Sequence, residues 1–186
     1  MKKLFLPFVT AILLGTAANA EDSVVKELNM DVIKNINFDH YYLGAALASE
    51  VVTDFDSGIA LVVNGGVPVL AQDKESLALE AELTQTVSSA SQTTWGTTLD
   101  ADITTLAVYG VYKYDIDSSF YTKGRLGFLY ESVSISGGFG GDSTDSGLAL
   151  GVHAGYKVDK QLSIDLGYDY IEADVAHITL GAIYNF

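Results

Sequence analysis

The sequence predicts an all-β protein: an eight-stranded antiparallel transmembrane β-barrel, preceded by a cleaved signal peptide. Three observations predict it: an export signal at the amino terminus, short runs in which apolar and polar residues alternate, and a strand-like segment that ends the chain. The last eight residues, Thr179 to Phe186, keep this alternation up to an aromatic carboxyl terminus. Termini usually fray and are polar unless a sheet holds them. The last strand is therefore expected to pair with the first and close a barrel.

The amino terminus has the order of a secretory signal. Lys2 and Lys3 precede an apolar run from Leu4 to Leu14, and small residues follow up to Ala18-Asn19-Ala20. This order predicts cleavage after Ala20, and the run is too short for a membrane-spanning helix, which needs about 20 residues. We predict a signal peptide at 1–20, a periplasmic segment at 21–38 and a barrel at 39–186. The periplasmic segment, with a rough helical stripe of Val and Leu, is expected to be a short helix or a disordered lead-in.

Composition excludes several classes of function. The chain has 186 residues, of which 24 are acidic and 10 are basic, whereas nucleic acid binding needs clustered Lys and Arg. Cysteine is absent, so neither a disulfide nor a thiolate metal site is available in the oxidising periplasm. We predict no cofactor and no metal site, and we expect a monomer.

Eight candidate strands follow one another, each with two distinct faces. They run over His40–Ala48, Gly58–Val69, Ser76–Val87, Leu99–Tyr114, Ser119–Ile135, Gly147–Val158, Gln161–Ile171 and Ala176–Phe186. The third is the clearest, with Leu77 and Leu79 opposite Glu80 and Glu82. Alternation alone does not distinguish a soluble barrel, whose apolar face points inward, from a membrane barrel, whose apolar face points to lipid.

Three further features favour the membrane barrel. Aromatic residues cluster toward the strand ends, as in an interfacial girdle, and Phe186 lies on the apolar face. The connections also alternate in length, as in membrane barrels. Short polar turns are predicted at Ala71–Glu75, Asp115–Ser118 and Asp159–Lys160, and long loops at Ser49–Ser57, Ser88–Thr98 and Ser136–Ser146. The last connection, Glu172–Val175, is short and departs from this pattern.

Five segments carry a resemblance to a known family. They are Tyr41-Tyr42-Leu43-Gly44-Ala45-Ala46, Leu77-Ala78-Leu79-Glu80-Ala81-Glu82, Val108-Tyr109-Gly110-Val111-Tyr112-Lys113-Tyr114, Tyr121-Thr122-Lys123-Gly124-Arg125-Leu126-Gly127 and Gly181-Ala182-Ile183-Tyr184-Asn185-Phe186. Over about residues 39 to 186 their order resembles the porin-like, small eight-stranded outer-membrane barrels related to the OmpA transmembrane domain, OmpX and the opacity-type proteins. The resemblance implies a location in the outer membrane among lipid and lipopolysaccharide. It also implies that Thr179, Gly181, Tyr184 and Phe186 form the signal read by the outer-membrane assembly machinery.

The interior is the first candidate site, because an eight-stranded barrel is just wide enough for side chains to fill. The alternation along the strands turns one face of each strand, its parity, toward the interior. This parity places Glu80, Glu82, Glu131, Asp165 and Asp169 there, together with Lys113, Lys123, Arg125, Lys157 and His153. Burying an unpaired charge is costly, so we predict a charge network that braces the barrel. The alternative is a narrow gated channel for ions or small solutes, opened when Lys123 or Arg125 changes partner between the glutamates.

The outer end is the second candidate site. Asp54, Asp56, Asp142 and Asp145 are expected in loops, where they could gather divalent cations that bridge lipopolysaccharide or contact an extracellular ligand; Trp95 could anchor the second loop. Some outer-membrane barrels modify lipid A with His, Ser and an acid near the outer leaflet. Here His177 is expected at the outer rim, near Glu172 and Asp174, and no serine lies at matching parity on its strand. We therefore expect a non-catalytic protein with a structural or surface-interaction role.

Overall fold

The computed structural model describes residues 40–52, 56–94, 97–137, 141–172 and 175–186. They form nine strands: β1 (Tyr42–Val52), β2 (Gly58–Ala71), β3 (Glu75–Ser88), β4 (Ala90–Thr94), β5 (Thr97–Asp115), β6 (Phe120–Ser136), β7 (Gly141–Lys157), β8 (Leu162–Glu172) and β9 (Val175–Asn185). Neighbouring strands are antiparallel, and β3 and β4 are two parts of one barrel strand because both pair with β5. The pairing of β3 with β5 closes the sheet. The predicted eight-stranded antiparallel barrel is confirmed.

The two ends of the barrel meet at the carboxyl-terminal strand. β1 and β9 pair from Tyr42↔Asn185 to Val52↔Val175. Beyond this ladder the Phe186 amide donates a hydrogen bond to the Tyr41 carbonyl at 2.9 Å, and the two rings stack with centroids 4.6 Å apart. The expected pairing of the last strand with the first is therefore present.

The outer face is apolar because alternate residues of each strand point away from the interior. Leu126, Phe128 and Val152 are 56%, 68% and 66% exposed, and many other large apolar residues share this face. A belt of this kind suits hydrocarbon rather than water. Among the described residues, no helix is long and apolar enough to cross a membrane.

Several predicted loops are strands in the structure, so their predicted lengths are wrong. β1 continues to Val52, β4 and β5 occupy most of the predicted loop 88–98, and β7 begins at Gly141 within the predicted loop 136–146. Ser, Gly and Asp are typical of turns, but a hairpin beyond the membrane needs only its backbone ladder and not an apolar face. Asp54, Trp95 and Asp174 lie outside the described residues.

In two of the short turns an aspartate side chain accepts hydrogen bonds from the backbone amides that follow it. Asp117 Oδ1 accepts hydrogen bonds from the amides of Ser119 and Phe120, at 2.7 and 2.8 Å. Asp159 Oδ1 does the same for Gln161 and Leu162, at 2.7 and 2.8 Å. These backbone donors favour the charged carboxylate, so they lower the pKa of Asp117 and of Asp159. Each aspartate stabilises the reversal that starts the next strand.

Candidate functional site in the barrel interior

Charged side chains fill the middle of the barrel. Glu80, Arg125 and Asp169 are 1%, 3% and 1% exposed, because inward positions of β3, β6 and β8 bring them to one level. Buried ions persist only when they are paired and hydrogen-bonded. The interior therefore has to satisfy each of these groups internally.

Arg125 is the centre of the network. Its Nε atom donates to Asp169 Oδ1 at 2.6 Å, and Nη1 donates to Glu80 Oε1 at 2.9 Å and to Glu82 Oε2 at 2.5 Å. Nη2 donates to the other Glu82 oxygen at 3.1 Å. The guanidinium also lies 4.2 Å from the centroid of the Tyr109 ring. One planar fork thus joins carboxylates from two opposite parts of the wall, which a lysine ammonium cannot reproduce.

A second group of contacts surrounds Asp165. Nδ1 of His153 lies 2.5 Å from Asp165 Oδ1, and Nε2 of the same ring lies 3.0 Å from Asp169 Oδ1. Lys123 Nζ lies 3.3 Å from Asp165, and Tyr121 donates its hydroxyl to Asp165 at 2.8 Å. His153 shares Asp169 with Arg125, so the two groups form one network.

Glycines make room for this network. Gly151 lies directly across the ladders from both Arg125 and Asp169. A Cβ atom there would overlap the Asp169 carboxylate and lie 2.7 Å from Arg125 Cγ. The same arrangement recurs elsewhere in the interior, with Gly66 opposite Tyr42, Gly127 opposite Tyr109, Gly155 opposite Tyr121 and Gly167 opposite His153. Each large polar side chain lies over a neighbouring strand that carries no side chain at that point.

Sequence reasoning missed the tyrosines of this network. Tyr42 donates its hydroxyl to Glu80 Oε2 at 2.7 Å, and Tyr109 and Tyr121 are 1% and 3% exposed. The alternation of their strands predicts only that Tyr42 and Tyr109 point away from the lipid. Their partners depend on the register between strands, which a single sequence does not contain. The tyrosine and glycine at paired inward positions are the signal that could have revealed them.

A smaller polar cluster lies nearer the long-loop end. Glu50 is fully buried, and the Thr86 hydroxyl donates to its carboxylate at 2.9 Å. His177 is 1% exposed, with Nε2 at 3.7 Å from Glu50 Oε1. His177 lies near the start of β9, toward the long-loop end where it is expected, and its side chain points into the barrel beside Glu50, its partner across the ladder. Glu50 was missed because it was assigned to a loop.

The remaining predicted residues lie at other levels. Lys113 and Lys157 are near the short-turn end, where both contact Asp115, at 3.4 and 2.6 Å. Neither makes a salt bridge to the Arg125 network among the described contacts. Lys113 Nζ also lies 4.7 Å from the centroid of the Tyr121 ring, and Tyr121 donates to Asp165, so Lys113 touches the network through this ring. Glu131 is 4% exposed and lies on β6 toward the long-loop end.

The four residues of the expected assembly signal divide between the two faces of β9. Thr179 points inward and is 5% exposed, whereas Tyr184 and Phe186 point outward and are 40% and 50% exposed. Gly181 lies opposite Ala46 and Asp165, and a Cβ there would approach the Ala45 carbonyl oxygen to 2.5 Å.

The interior around Arg125 is filled by side chains in the part of the chain that the structure describes. A cavity of about 20 Å³ lies beside Asn64, Glu82 and His153, which is room for about one water molecule. Asn64 Oδ1 is buried there, and no hydrogen-bond partner for it lies among the described residues. A second, wider cavity of about 780 Å³ opens at the short-turn end.

A closed barrel with an apolar outer belt and an ionic interior defines a class, the small β-barrels that span a bacterial outer membrane. This chain belongs to the outer membrane protein beta-barrel domain family, whose match extends over residues 8–186. Its location is the outer membrane. No curated protein sequence matches the chain.

Solved structures with the same fold are distant in sequence. Ail, the attachment invasion locus protein of Yersinia pestis, is 17% identical, with a TM-score of 0.56 over 79% of this chain and 97% of Ail. Ail has also been solved with the heparin analogue sucrose octasulfate. A major outer membrane protein from Thermus thermophilus is 19% identical, with a TM-score of 0.56 over 79% of this chain and 99% of that protein. OprG from Pseudomonas aeruginosa is 13% identical, with a TM-score of 0.50 over 79% and 95%. At these identities the likeness shows the fold.

Proposed function

We propose that this protein is a non-catalytic outer-membrane barrel that carries a recognition surface for an extended, cationic polypeptide. The observation that supports this proposal is a raised sheet, formed by β4, the outer part of β5, the outer part of β6 and the outer part of β7. β5 pairs with β6 as far as Asp100↔Ser136, and β6 pairs with β7 as far as Ile135↔Gly141. This wall is taller than the neighbouring one, where β8 ends at Glu172.

The raised sheet has an open edge on β7. Among the described residues, β7 pairs with β8 only from Leu150 to Lys157. The β7 backbone from Gly141 to Gly147 therefore extends past β8 with a ladder only to β6. Unpaired amides and carbonyls along an exposed strand accept an additional strand from a partner. At the other flank the edge is partly occupied, because Ser91 O accepts a hydrogen bond from the Asp56 amide at 2.9 Å.

The charge of the raised sheet specifies the partner. It carries Asp100, Asp102, Asp142 and Asp145, and serines hold three of these carboxylates in place, for example Ser134 on Asp142 at 2.7 Å. From residue 40 onward, lysine and arginine occur at 74, 113, 123, 125, 157 and 160, which are turn-end or interior positions. A surface with acids and no basic residue favours a cationic partner. A polyanion such as the heparin analogue bound by Ail does not fit it.

The interior supports bracing rather than conduction or catalysis. Arg125 and its three carboxylate partners fill the cross-section of the barrel through which a continuous row of water molecules would have to pass. Glu50 and His177 are sealed from the lipid and from solvent at 0% and 1% exposure, so a lipid A substrate has no route to them. We assign the network to the rigidity of the barrel wall, and residues Thr179, Gly181, Tyr184 and Phe186 to recognition by the assembly machinery.

The recognition proposal is tested with a defined probe. A peptide of alternating Lys and Val is offered to the purified protein in phosphatidylcholine nanodiscs, beside the same peptide with alternate amides methylated. We expect the first to bind and the second to bind much more weakly, since methylation removes ladder donors and keeps the charge. The double change Asp142→Lys and Asp145→Lys should weaken binding, whereas Asp73→Lys at the other end should not. Equal binding of both peptides to all three proteins would refute the proposal.

A further inference from the structure

The cavity of about 780 Å³ at the short-turn end is unusual in a barrel whose middle is filled. Its lining includes Tyr41, Tyr42, Lys113, Lys157, Lys160 and Phe186, and we call it the mouth cavity. Pockets that hold a specific ligand have volumes of about 300 to 1,000 Å³. Its wall combines aromatic rings with ammonium groups, so it suits an occupant that is both apolar and acidic.

The ammonium groups are only partly neutralised. Lys113 and Lys157 share one carboxylate, that of Asp115, and Lys160 is exposed. The acidic side chain that lines the mouth cavity is Asp159, and its Oδ1 atom already accepts two amide hydrogens of its own turn. The cavity therefore offers three lysine ammonium groups to an acidic occupant, beside the carboxylates of Asp159 and of the carboxyl-terminal Phe186.

We propose that the mouth cavity is the binding site of this chain's own segment 21–39. The segment is tethered at the correct place, because residue 39 directly precedes His40, which lines the cavity. A short tether gives an effective concentration in the millimolar range. This proposal concerns the opposite end of the barrel from the recognition surface and does not depend on it.

The composition of the segment matches the cavity. It contains five acidic residues against Lys26 and Lys34, which complements the lysines of the wall. It also contains apolar residues that have to be covered from water, including Val25, Leu28 and Val32. The ring of Tyr42, which points into the barrel, provides such cover.

The charge of the segment also disfavours the bilayer surface as its binding place. Segments that lie on membranes carry Lys and Arg on their polar face and are attracted to anionic lipids. This segment is acidic, so the lipid headgroups attract it less than the lysines of the mouth do.

The absence of cysteine makes the test direct. Ser118, which lines the mouth cavity and is otherwise exposed, is changed to Cys in the mature chain, refolded in phosphatidylcholine vesicles, and its rate of reaction with a bulky maleimide is measured. The changes Glu27→Lys with Asp31→Lys should speed labelling several-fold, and so should Lys160→Glu. All three changes together should restore slow labelling, because the charge pairing is restored with reversed sign.

The controls separate docking from general effects. Ser143→Cys at the long-loop end should label at one rate in all variants, and Asp142→Lys should leave labelling at position 118 unchanged. Heat-dependent gel mobility verifies folding of every variant. Equal labelling at position 118 in all charge variants overturns the proposal. Quenching of a fluorophore at Val32→Cys by headgroup spin-labelled lipid, with unchanged labelling at 118, also overturns it and places the segment on the membrane.

Discussion

Space for the ionic network comes from residues that have no side chain. The strand at Gly151 carries no side chain, so the side chains of Arg125 and Asp169 on the two neighbouring strands can both lie over it. Gly124, on the same sheet but facing outward, has no atom within 4 Å of a Cβ built on it. Alanine at the two positions separates two effects on stability: filling the space inside the barrel, and replacing a glycine in a strand.

We predict that Gly151→Ala destabilises the barrel by about 1 to 3 kcal/mol, the usual range for overpacking. Gly124→Ala should change the free energy of unfolding by less than about 0.5 kcal/mol. Urea titration in phospholipid vesicles, followed by the loss of the fast-migrating folded form on unheated gels, measures both. Similar free energies for the two variants would contradict the assigned role of Gly151.

Arg125 is the cation on which three carboxylates depend. We predict that Arg125→Ala lowers the free energy of unfolding by about 3 to 5 kcal/mol, because it leaves Glu80, Glu82 and Asp169 buried without this partner. Arg125→Lys should rescue only part of the loss, since an ammonium cannot reach all three acids. Lys74→Ala, on an exposed side chain, serves as the control in the same urea titration. A loss no greater for Arg125→Ala than for the control would show that the network does not brace the wall.

Strand by strand, the parity of the membrane-spanning part could be read from the sequence. In β8, Ile164 and Leu166 alternate with Asp165 and Gly167, because lipid and interior impose opposite polarity on successive residues. Beyond the membrane this constraint disappears. The sequence of Gly141–Ser146 predicts a loop because both faces of this strand are polar, and β-pairing there depends on a partner strand that the local sequence does not identify.

The same limit applies to the interior. Glu80 and Arg125 could be placed inside by parity, but the contacts of Tyr42 with Glu80 and of His153 with Asp169 depend on the register between strands. Glu50 was missed for a related reason, since its strand extends past the apolar pattern used to find it. Register is a property of the closed barrel and not of any one segment.

The aspartate in each of these two turns is expected to contribute to the stability of its hairpin. Asp159→Ala should lower the urea midpoint at pH 7, because the amides of Gln161 and Leu162 lose their acceptor. The folded pKa of this carboxyl is lowered, so its stabilisation is present above the unfolded pKa of about 3.9 and is lost as the pH falls through the folded pKa. The difference between wild type and variant should therefore shrink below about pH 4. Asp159→Asn keeps an acceptor and should show a smaller effect at pH 7. A difference that stays constant from pH 7 to pH 3 would contradict this account of the turn.

At the scale of the whole molecule, charge is divided along the barrel axis. Exposed lysines lie at the short-turn end, the interior holds Lys123 and Arg125 among acids, and the raised sheet carries aspartates. On this basis we propose different partners for the two ends. It also leaves the apolar belt free of charge where lipid surrounds it.

The last residue extends the seam between β1 and β9 by one hydrogen bond and one ring contact. We predict that Phe186→Ser leaves export intact but reduces the folded protein recovered from the outer membrane, because stacking on Tyr41 is lost at the seam. Quantitative immunoblotting of membrane and periplasmic fractions measures this. Phe186→Tyr, which keeps the ring, is the control and should insert normally. Normal insertion of the serine variant would contradict both the closing role and the proposed assembly signal.

The central claim is that the interior is a brace and that recognition takes place outside it. Recording from the purified protein in a planar lipid bilayer tests this most directly. We predict no discrete current steps from the wild-type protein over the range of membrane potentials that the bilayer withstands. Regular single-channel steps from the wild type that disappear in Glu82→Ala would contradict the claim and would assign the Arg125 network to a gate.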